Sequence, residues 1–389
     1  MKICHAFTRM LEDEGGGLAR SLFSLVHALA DRGHEVTLAT AADSKFPGLW
    51  DAANHDGLTI APLPPPSTGI EFFRRDALQP LEEIFRSADV LHLHGMWRLS
   101  AHQMAALARR LDKPYVLTVH GRLDDWCMRQ RGLRKRLFHL LFDRRNLSSA
   151  ERVHVTAKAE AAQASGWIPH PRISIIPYLA DADGLRHSAD PEVFLRRHPE
   201  VDRTTASVLF LGRLHPKKGP EILIDAVGAL RRRGVPCRLL IAGSGDPAYV
   251  AALRTRAADR VPDAVFLGLV SGREKHSLLA FADLLALPTS QENFGLVITE
   301  AMSQETAVIT TRGTDIWPEL EAGGGALLVD RSAAAFTDAI EQMLRDRDRL
   351  RNMGVAGRRW VREWLDPDRL LGRYEQMYEE AVTRHGRPS

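Results

Sequence analysis

Two successive runs of alternating strand and helix patterns predict an α/β fold built on parallel sheets. The first run opens on Lys2 to Thr8 and the second on Ser207 to Leu214, SVLFLGRL. Between them, from Asp181 to Asp202, the pattern loosens into acids, His187, Pro191 and Pro199. At 389 residues the chain is also too long for one ordinary core. These observations predict two Rossmann-like domains facing a central cleft, over residues 1–185 and 186–365.

The first strand is followed by a loop ending in Gly15, Gly16 and Gly17. Leu18, Leu22, Leu25, Val26 and Leu29 then recur at helical spacing, Gly33 stops the helix, and His34 to Thr40 makes the next strand. That is one βαβ unit. Its loop is not GxGxxG, so the dinucleotide fingerprint is absent. Three glycines answer either to a tight turn needing φ > 0 or to close approach of backbone N–H groups to a ligand. Asp51 to Thr68 is Pro-rich and reads as an irregular surface excursion.

Val90 to His94 and Tyr115 to Val119 are further strands, separated by a helix over Ala101 to Leu111. They end at His94 and beside His120, where a doubly wound sheet lines its ligand crevice. His94 is expected to pack or hydrogen-bond. His120, followed by Gly121, Asp124 and Asp125, is expected in a site. Arg129 to Arg145 (RQRGLRKRLFHLLFDRR) places Leu133, Leu137, Leu140 and Leu141 on one helical stripe among Arg134, Lys135, Arg136, Arg144 and Arg145. Two readings stand: a core-packed helix with a solvated basic face, or a helix lying on an anionic membrane. Val153 to Thr156 and Ile173 to Ile176 close this half.

The second half repeats the grammar. After Ser207 to Leu214 comes the turn His215 to Gly219, then a helix with Pro220 in its first turn, where proline is tolerated. Strands follow at Arg238 to Ala242, Val265 to Val270, Leu284 to Leu287, Val308 to Thr311 and Ala326 to Val329. Pro367 to Val382 is an amphipathic helix carrying Leu370, Leu371, Tyr374, Met377 and Tyr378.

Composition narrows the function classes. There are 52 Lys and Arg against 49 Asp and Glu, a formal net charge of +3, which demands no nucleic-acid partner. The three cysteines, Cys4, Cys127 and Cys237, lie far apart and fit free thiols in a reducing compartment. No apolar run is long enough to span a bilayer, and the N-terminus has acids where a signal peptide needs an apolar core. A cytoplasmic location is expected.

The chemistry concentrates on two strand-to-helix turns. Arg213 ends a strand and Lys218 sits on the turn into the Pro220 helix. A guanidinium fork and a mobile ammonium beside helix N–H groups suit a diphosphate. No acidic pair of the DxD kind is present to seat a metal against one. The second turn lies in LALPTSQENFGLVITEAM, Leu285 to Met302. Glu292 and Glu300 are eight residues apart, which on a helix is two turns plus about 80°. They are therefore not a tight pair. The alternatives are an anion-gripping loop at a helix start or an ordinary connection with two surface acids.

These pieces resemble the retaining glycosyltransferases of the GT-B fold, family 4 in particular. The resemblance rests on GRLHPKKGPEILIDA (Gly212 to Ala226), LLIAGSGD, VFLGLV, the E-x7-E segment ENFGLVITE and TTRGTDIWPELEAGGGALLV, and more loosely on GGGLAR, VLHLHGMW and LTVHG. It implies a nucleotide-sugar donor held mainly by the second half, with no metal or other cofactor, and a glycan, lipid-linked or small-molecule acceptor. Carried over, Arg213 and Lys218 would bind the diphosphate and Glu300 the ribose hydroxyls. Glu292, with the backbone N–H groups of Phe294, Gly295 and Leu296, would hold the transferred sugar. Gly16 and Gly17 would approach the diphosphate from the first half, and His120 would sit near the reacting face of the sugar. The segment 366–389 would cross back onto the first domain. With a lipid-linked acceptor, the basic stretch 129–145 would face the anionic membrane, as the second reading of that helix has it. The family's Asn-Gly after Ile-Pro is absent here, where Ile176, Pro177, Tyr178 and Leu179 stand, and Asp315, Ile316 and Trp317 replace a Gly-Gly. A nucleotide-sugar epimerase on the same fold, or an inactive scaffold, are the competing readings.

Overall fold

All the strand pairings are parallel, as the βαβ grammar requires. The structure is a computed structural model. It describes residues 1–10, 12–45, 48, 49, 51, 55–67, 71–124, 127, 128, 132–168, 172–179 and 187–386, with backbone alone at 12–16. The chain divides into two compact units, Met1–Ala180 with Pro367–Ser389, and Asp181–Asp366. The expected boundary at 185/186 falls outside the described residues, as do Asp125 and 129–131 of the basic stretch.

The first unit holds β1 (Lys2–Phe7), β2 (Glu35–Ala41), β3 (Leu58–Leu63), β4 (Val90–His94), β5 (Tyr115–Thr118), β6 (Arg152–Val155) and β7 (Ile173–Ile175). Their spatial order is β3-β2-β1-β4-β5-β6-β7. The direction of winding reverses between β1 and β4, the point where such sheets open a crevice. One face buries an apolar layer including Leu91, Leu93, Leu117, Val153, Phe85 and Met104. The opposite face meets the helix Pro367–His385, which buries Leu370, Leu371, Tyr374, Met377, Tyr378 and Ala381. Salt bridges Arg32–Asp368 and Arg152–Glu380 and a His34–Glu375 hydrogen bond hold that helix at its rim.

The second unit holds β8 (Ser207–Leu211), β9 (Arg238–Ala242), β10 (Val265–Gly268), β11 (Leu284–Leu287), β12 (Ala307–Thr310) and β13 (Ala326–Leu328), in the order β10-β9-β8-β11-β12-β13. Its switch point lies between β8 and β11. Residues expected as linker join this unit: the helix Glu192–Arg197 buries Phe194 against Phe281, and the Phe194 N–H donates to Ser277.

Three expectations are corrected. The Pro-rich stretch before Thr68 contains β3, with Pro62 opposite Thr40. The strand forms because β3 is an edge, where a missing N–H breaks no ladder. Gly15, Gly16 and Gly17 lie inside the helix Glu12–Asp31, not in a loop before it. An acid-rich start is favoured by the positive end of a helix dipole, which offsets the poor helix propensity of glycine. The basic stretch is not core-packed. The helix Gly132–Phe138 buries none of its residues, and it continues through a π-helical turn, His139–Asp143, into Arg144–Ser149. Leu133 is 85% exposed, with Leu137, Leu140 and Leu141 near 60%.

Candidate active site

β8 and β11 are neighbours, so the turns that follow them lie side by side. The first turn carries Arg213, exposed, and Lys218, partly buried. The Lys218 N–H donates to the His215 carbonyl and so closes the turn. Gly219 caps the helix Pro220–Arg232 at φ +69°, in the left-handed region. A Cβ there would stand 2.5 Å from the Pro288 carbonyl oxygen, so only glycine fits.

The second turn is tied to the first by backbone. The Ser290 N–H and hydroxyl both donate to the Lys217 carbonyl, at 2.8 and 3.1 Å. Arg331 clasps both turns, donating to the Pro288 carbonyl at 2.9 Å and the Pro216 carbonyl at 2.8 Å. Glu292 is fixed by its own main chain, its N–H donating to Gly313 and its carbonyl accepting from Asp315. Gly295 then repeats the left-handed cap, φ +69°, ahead of the helix Leu296–Ser303. The first N–H groups of a helix have no partner within it and carry the positive end of its dipole.

Across these turns Lys218 Nζ forms an ion pair with Glu292 Oε2. Burial and the nearby Lys217 and Arg213 cations pull the Lys218 ammonium down from its usual range, while the Glu292 carboxylate in contact opposes them. A turn later on the helix, Glu300 Oε1 accepts from Lys275 Nζ at 2.6 Å, both side chains nearly buried. The two acids of the E-x7-E segment thus have separate cationic partners. Phe294 turns inward, 1% exposed, and stacks on Trp364 at 5.6 Å, which stacks on Trp360 at 4.7 Å. This three-ring stack anchors the loop whose backbone starts the helix.

In the first unit His120 follows β5 at φ +53°, a left-handed setting uncommon for a side chain with a Cβ. Its loop is held by Glu160, whose buried carboxylate accepts from the Gly121 N–H, the Thr156 N–H and the Thr156 hydroxyl. His120 Nε2 lies 3.2 Å from His94 Nδ1, and its Nδ1 lies 2.7 Å from the Tyr178 hydroxyl. Burial first, and then the neighbouring His154 and the Arg122 cation, keep the ring's pKa well below that of a free imidazole. His94 is 4% exposed and hydrogen-bonded, as its strand-end position suggested.

Two domain descriptions match the chain, glycosyl transferase 4-like domain over residues 16–178 and glycosyl transferases group 1 over residues 194–360. The chain belongs to the GT4-like glycosyltransferase family of the GT-B fold. Similar proteins include a GDP-mannose-dependent alpha-(1-6)-phosphatidylinositol monomannoside mannosyltransferase of Mycobacterium tuberculosis, 33% identical over 53% of this chain and 56% of the relative, so little more than half of that protein is spanned. A D-inositol 3-phosphate glycosyltransferase of Pseudarthrobacter chlorophenolicus is 28% identical over 96% of this chain and 92% of the relative. Sucrose-phosphate synthase from Thermosynechococcus elongatus superposes with a TM-score of 0.75 at 20% identity, covering 99% of this chain and all of that one. Anabaena HepE in complex with UDP and glucose superposes at 0.77 and 17% identity, over 97% and 98% of the two chains. These two share the fold.

Within the glycosyltransferase the second unit brings together Arg213, Lys218, Glu292, Phe294, Gly295, Leu296 and Glu300 around two touching turns. His120, Gly16 and Gly17 belong to the first unit. Sequence reasoning missed Lys275, Arg331 and the Trp360–Trp364 pair. Lys275 and Arg331 sit outside the matching motifs, and only the two tryptophans, at i and i+4 on one helix face, left a readable signal.

Proposed function

We propose that this glycosyltransferase moves a sugar from a nucleotide-sugar donor to a glycan, lipid-linked or small-molecule acceptor, with retention of anomeric configuration and without a metal. The observation that carries the proposal is the Lys218–Glu292 ion pair bridging the turns after β8 and β11. A diphosphate beside Arg213 and Lys218 draws the ammonium toward itself and leaves Glu292 to accept from the sugar's hydroxyls. Positive charge then comes from Arg213, Lys218 and a helix start, each charge-assisted contact being worth about 1.5–3 kcal/mol. Glu300 accepts from the ribose hydroxyls, and the N–H groups of Phe294, Gly295 and Leu296 face the sugar. The family resemblance assigns Gly16 and Gly17 to the diphosphate and His120 to the sugar.

Retention is the outcome that the family resemblance implies, and the separation of the acids supports it. Retaining hydrolases use two carboxyl groups about 5–5.5 Å apart. Here the two candidate acids have separate partners, Glu292 beside Lys218 on the loop and Glu300 beside Lys275 on the helix, and in the proposed complex each accepts from a different donor hydroxyl, so they do not act as such a pair. The departing diphosphate takes the acceptor's proton on the face it leaves, so no second carboxylate is required.

The acceptor side is read from the first unit. Exposed Leu133, Leu137, Leu140 and Leu141 among arginines form an apolar face with a cationic rim, which fits an anionic lipid surface. No described helix is long and apolar enough to cross a membrane. Free Cys4, Cys127 and Cys237 fit a reducing compartment, so peripheral contact on the cytoplasmic face is part of the proposal.

Lys218→Ala tests the diphosphate assignment. Turnover is expected to fall at least tenfold, since losing about 1.5 kcal/mol or more at the transition state does that. Turnover within about threefold of wild type removes the assignment. Proton NMR of the product's anomeric centre, in the same assay, reads retention directly.

A further inference from the structure

Five imidazoles crowd the sheet face that meets the helix Pro367–His385, and strand register puts them there. His5 on β1 pairs with His92 on β4, His94 with Thr118 on β5, and Thr118 with His154 on β6. Side chains alternate along a strand, so His92 and His94 share this face while Leu91 and Leu93 enter the apolar layer behind it. His5, His92, His94 and His154 are at most 4% exposed, and His120 is the one of the five that is only partly buried.

The hydrogen bonds among them run one way. A carbonyl only accepts, a hydroxyl has one hydrogen, and a neutral imidazole has one N–H and one acceptor nitrogen. His154 Nε2 must therefore donate to the Ile176 carbonyl, at 2.8 Å. Its Nδ1 then accepts from the Thr118 hydroxyl at 2.8 Å, and Thr118 accepts from His92 Nε2 at 2.6 Å. His92 Nδ1 accepts from the Tyr378 hydroxyl at 2.8 Å, whose oxygen accepts from His5 Nε2 at 3.4 Å. His5 Nδ1 accepts from His94 Nε2 at 3.1 Å, and His94 Nδ1 from His120 Nε2 at 3.2 Å. His120 Nδ1 is left to accept from the Tyr178 hydroxyl at 2.7 Å. Burial keeps all five rings neutral.

We propose that this chain, anchored at the Ile176 carbonyl, is a tautomer lock that holds His120 with its proton on Nε2, donated to His94, and its lone pair on Nδ1 turned to the Tyr178 hydroxyl, so that neither nitrogen is open to act as the base of the transfer reaction. His154, Thr118 and His92 are positioning residues acting through His120. The lock stands on geometry alone; its bearing on catalysis rests on the reading of His120 as a sugar contact. His5, His92 and His94 also bring ligand atoms within 4.8 Å of one another, close enough for a metal ion. Both nitrogens of His92 are already committed, to Tyr378 and Thr118, and the trio includes no carboxylate to offset a buried dication, so the hydrogen-bonded arrangement is favoured.

The test is long-range proton–nitrogen NMR of the full chain labelled with 15N-histidine, at pH 7. His120 is expected as the Nε2–H tautomer. Thr118→Val keeps the side-chain shape and cuts the chain between His154 and His92. It is expected to give His120 a tautomer mixture and to lower kcat about tenfold, equivalent to about 1.4 kcal/mol. Thr118→Ser restores both. Tyr178→Phe, at the far end, is expected to alter His120 alone. A wild-type His120 protonated on Nδ1, or Thr118→Val spectra with unchanged His120 shifts, overturns the lock. A changed tautomer with unchanged turnover overturns the catalytic link and with it the placing of His120 at the sugar.

Discussion

Lys275 and Glu300 are 25 residues apart in the chain and 2.6 Å apart in space, with side chains 11% and 12% exposed. A carboxylate so placed needs its partner, because leaving a mostly buried charge unpaired costs more than the pair gains. The lysine also occupies one oxygen of Glu300, and in the proposed function the other accepts from the ribose. Lys275→Met is therefore expected to destabilise the protein by about 1–3 kcal/mol and to raise the donor KM more than it lowers kcat. Thermal melts and initial rates over a donor series check this. Unchanged melting and unchanged donor KM together would detach Glu300 from the ribose.

Elements decide what single residues cannot. The helices from Gly132 to Ser149 carry four leucines that stay mostly exposed, and of the two readings the sequence left for their stripe, core-packed or membrane-facing, the structure removes the first. Periodicity reports that a helix is amphipathic, not which solvent its apolar side meets. Each exposed leucine that enters a bilayer gains about 1.5–3 kcal/mol. The full chain is expected to sediment with phosphatidylglycerol vesicles at low salt and to remain in the supernatant with phosphatidylcholine. Leu137→Glu is expected to weaken binding at least tenfold, the factor that a loss of 1.5 kcal/mol produces. Sedimentation indifferent to lipid charge would end the membrane reading.

At the scale of the molecule, the histidine layer makes the first unit sensitive to acid. Burial depresses His154 to about 4 and His5 to about 3, and holds His92, His94 and His120 well below the free value. A depressed folded-state pKa means that the unfolded chain binds more protons below pH ~6.5. The stabilisation is complete above that pH and is lost as pH falls toward the folded values, by about 3 kcal/mol for His154 alone. The thermal midpoint of the wild type is expected to drop steeply between about pH 6.5 and 4. His154→Gln, which keeps a donor for Ile176 and an acceptor for Thr118, is expected to flatten that limb. Parallel curves for the two proteins would show that His154 carries no such linkage.

Strand and helix alternation, the helix-start prolines and the glycines at 219 and 295 are local signals, so most elements and both turns of the second unit were legible in the sequence. Arg213, Lys218, Glu292 and Glu300 could be named because their motifs are continuous in the chain. Edge strand β3 was not legible, because proline breaks a ladder only where a neighbour exists, and an edge is a property of the whole sheet. The partners of those charges were also out of reach: Lys275 for Glu300, Arg331 across two turns, Trp364 under Phe294. The histidines of β1, β4 and β6 stood in the sequence as isolated polar interruptions of apolar strands. Only parallel register, stacking them across four strands beneath Tyr374 and Tyr378, decided that they form one connected layer ending at His120. Local sequence specifies backbone conformation through short-range sterics and periodicity, while the identity of a charge's or a hydrogen bond's partner depends on contacts that exist only once the sheet is assembled.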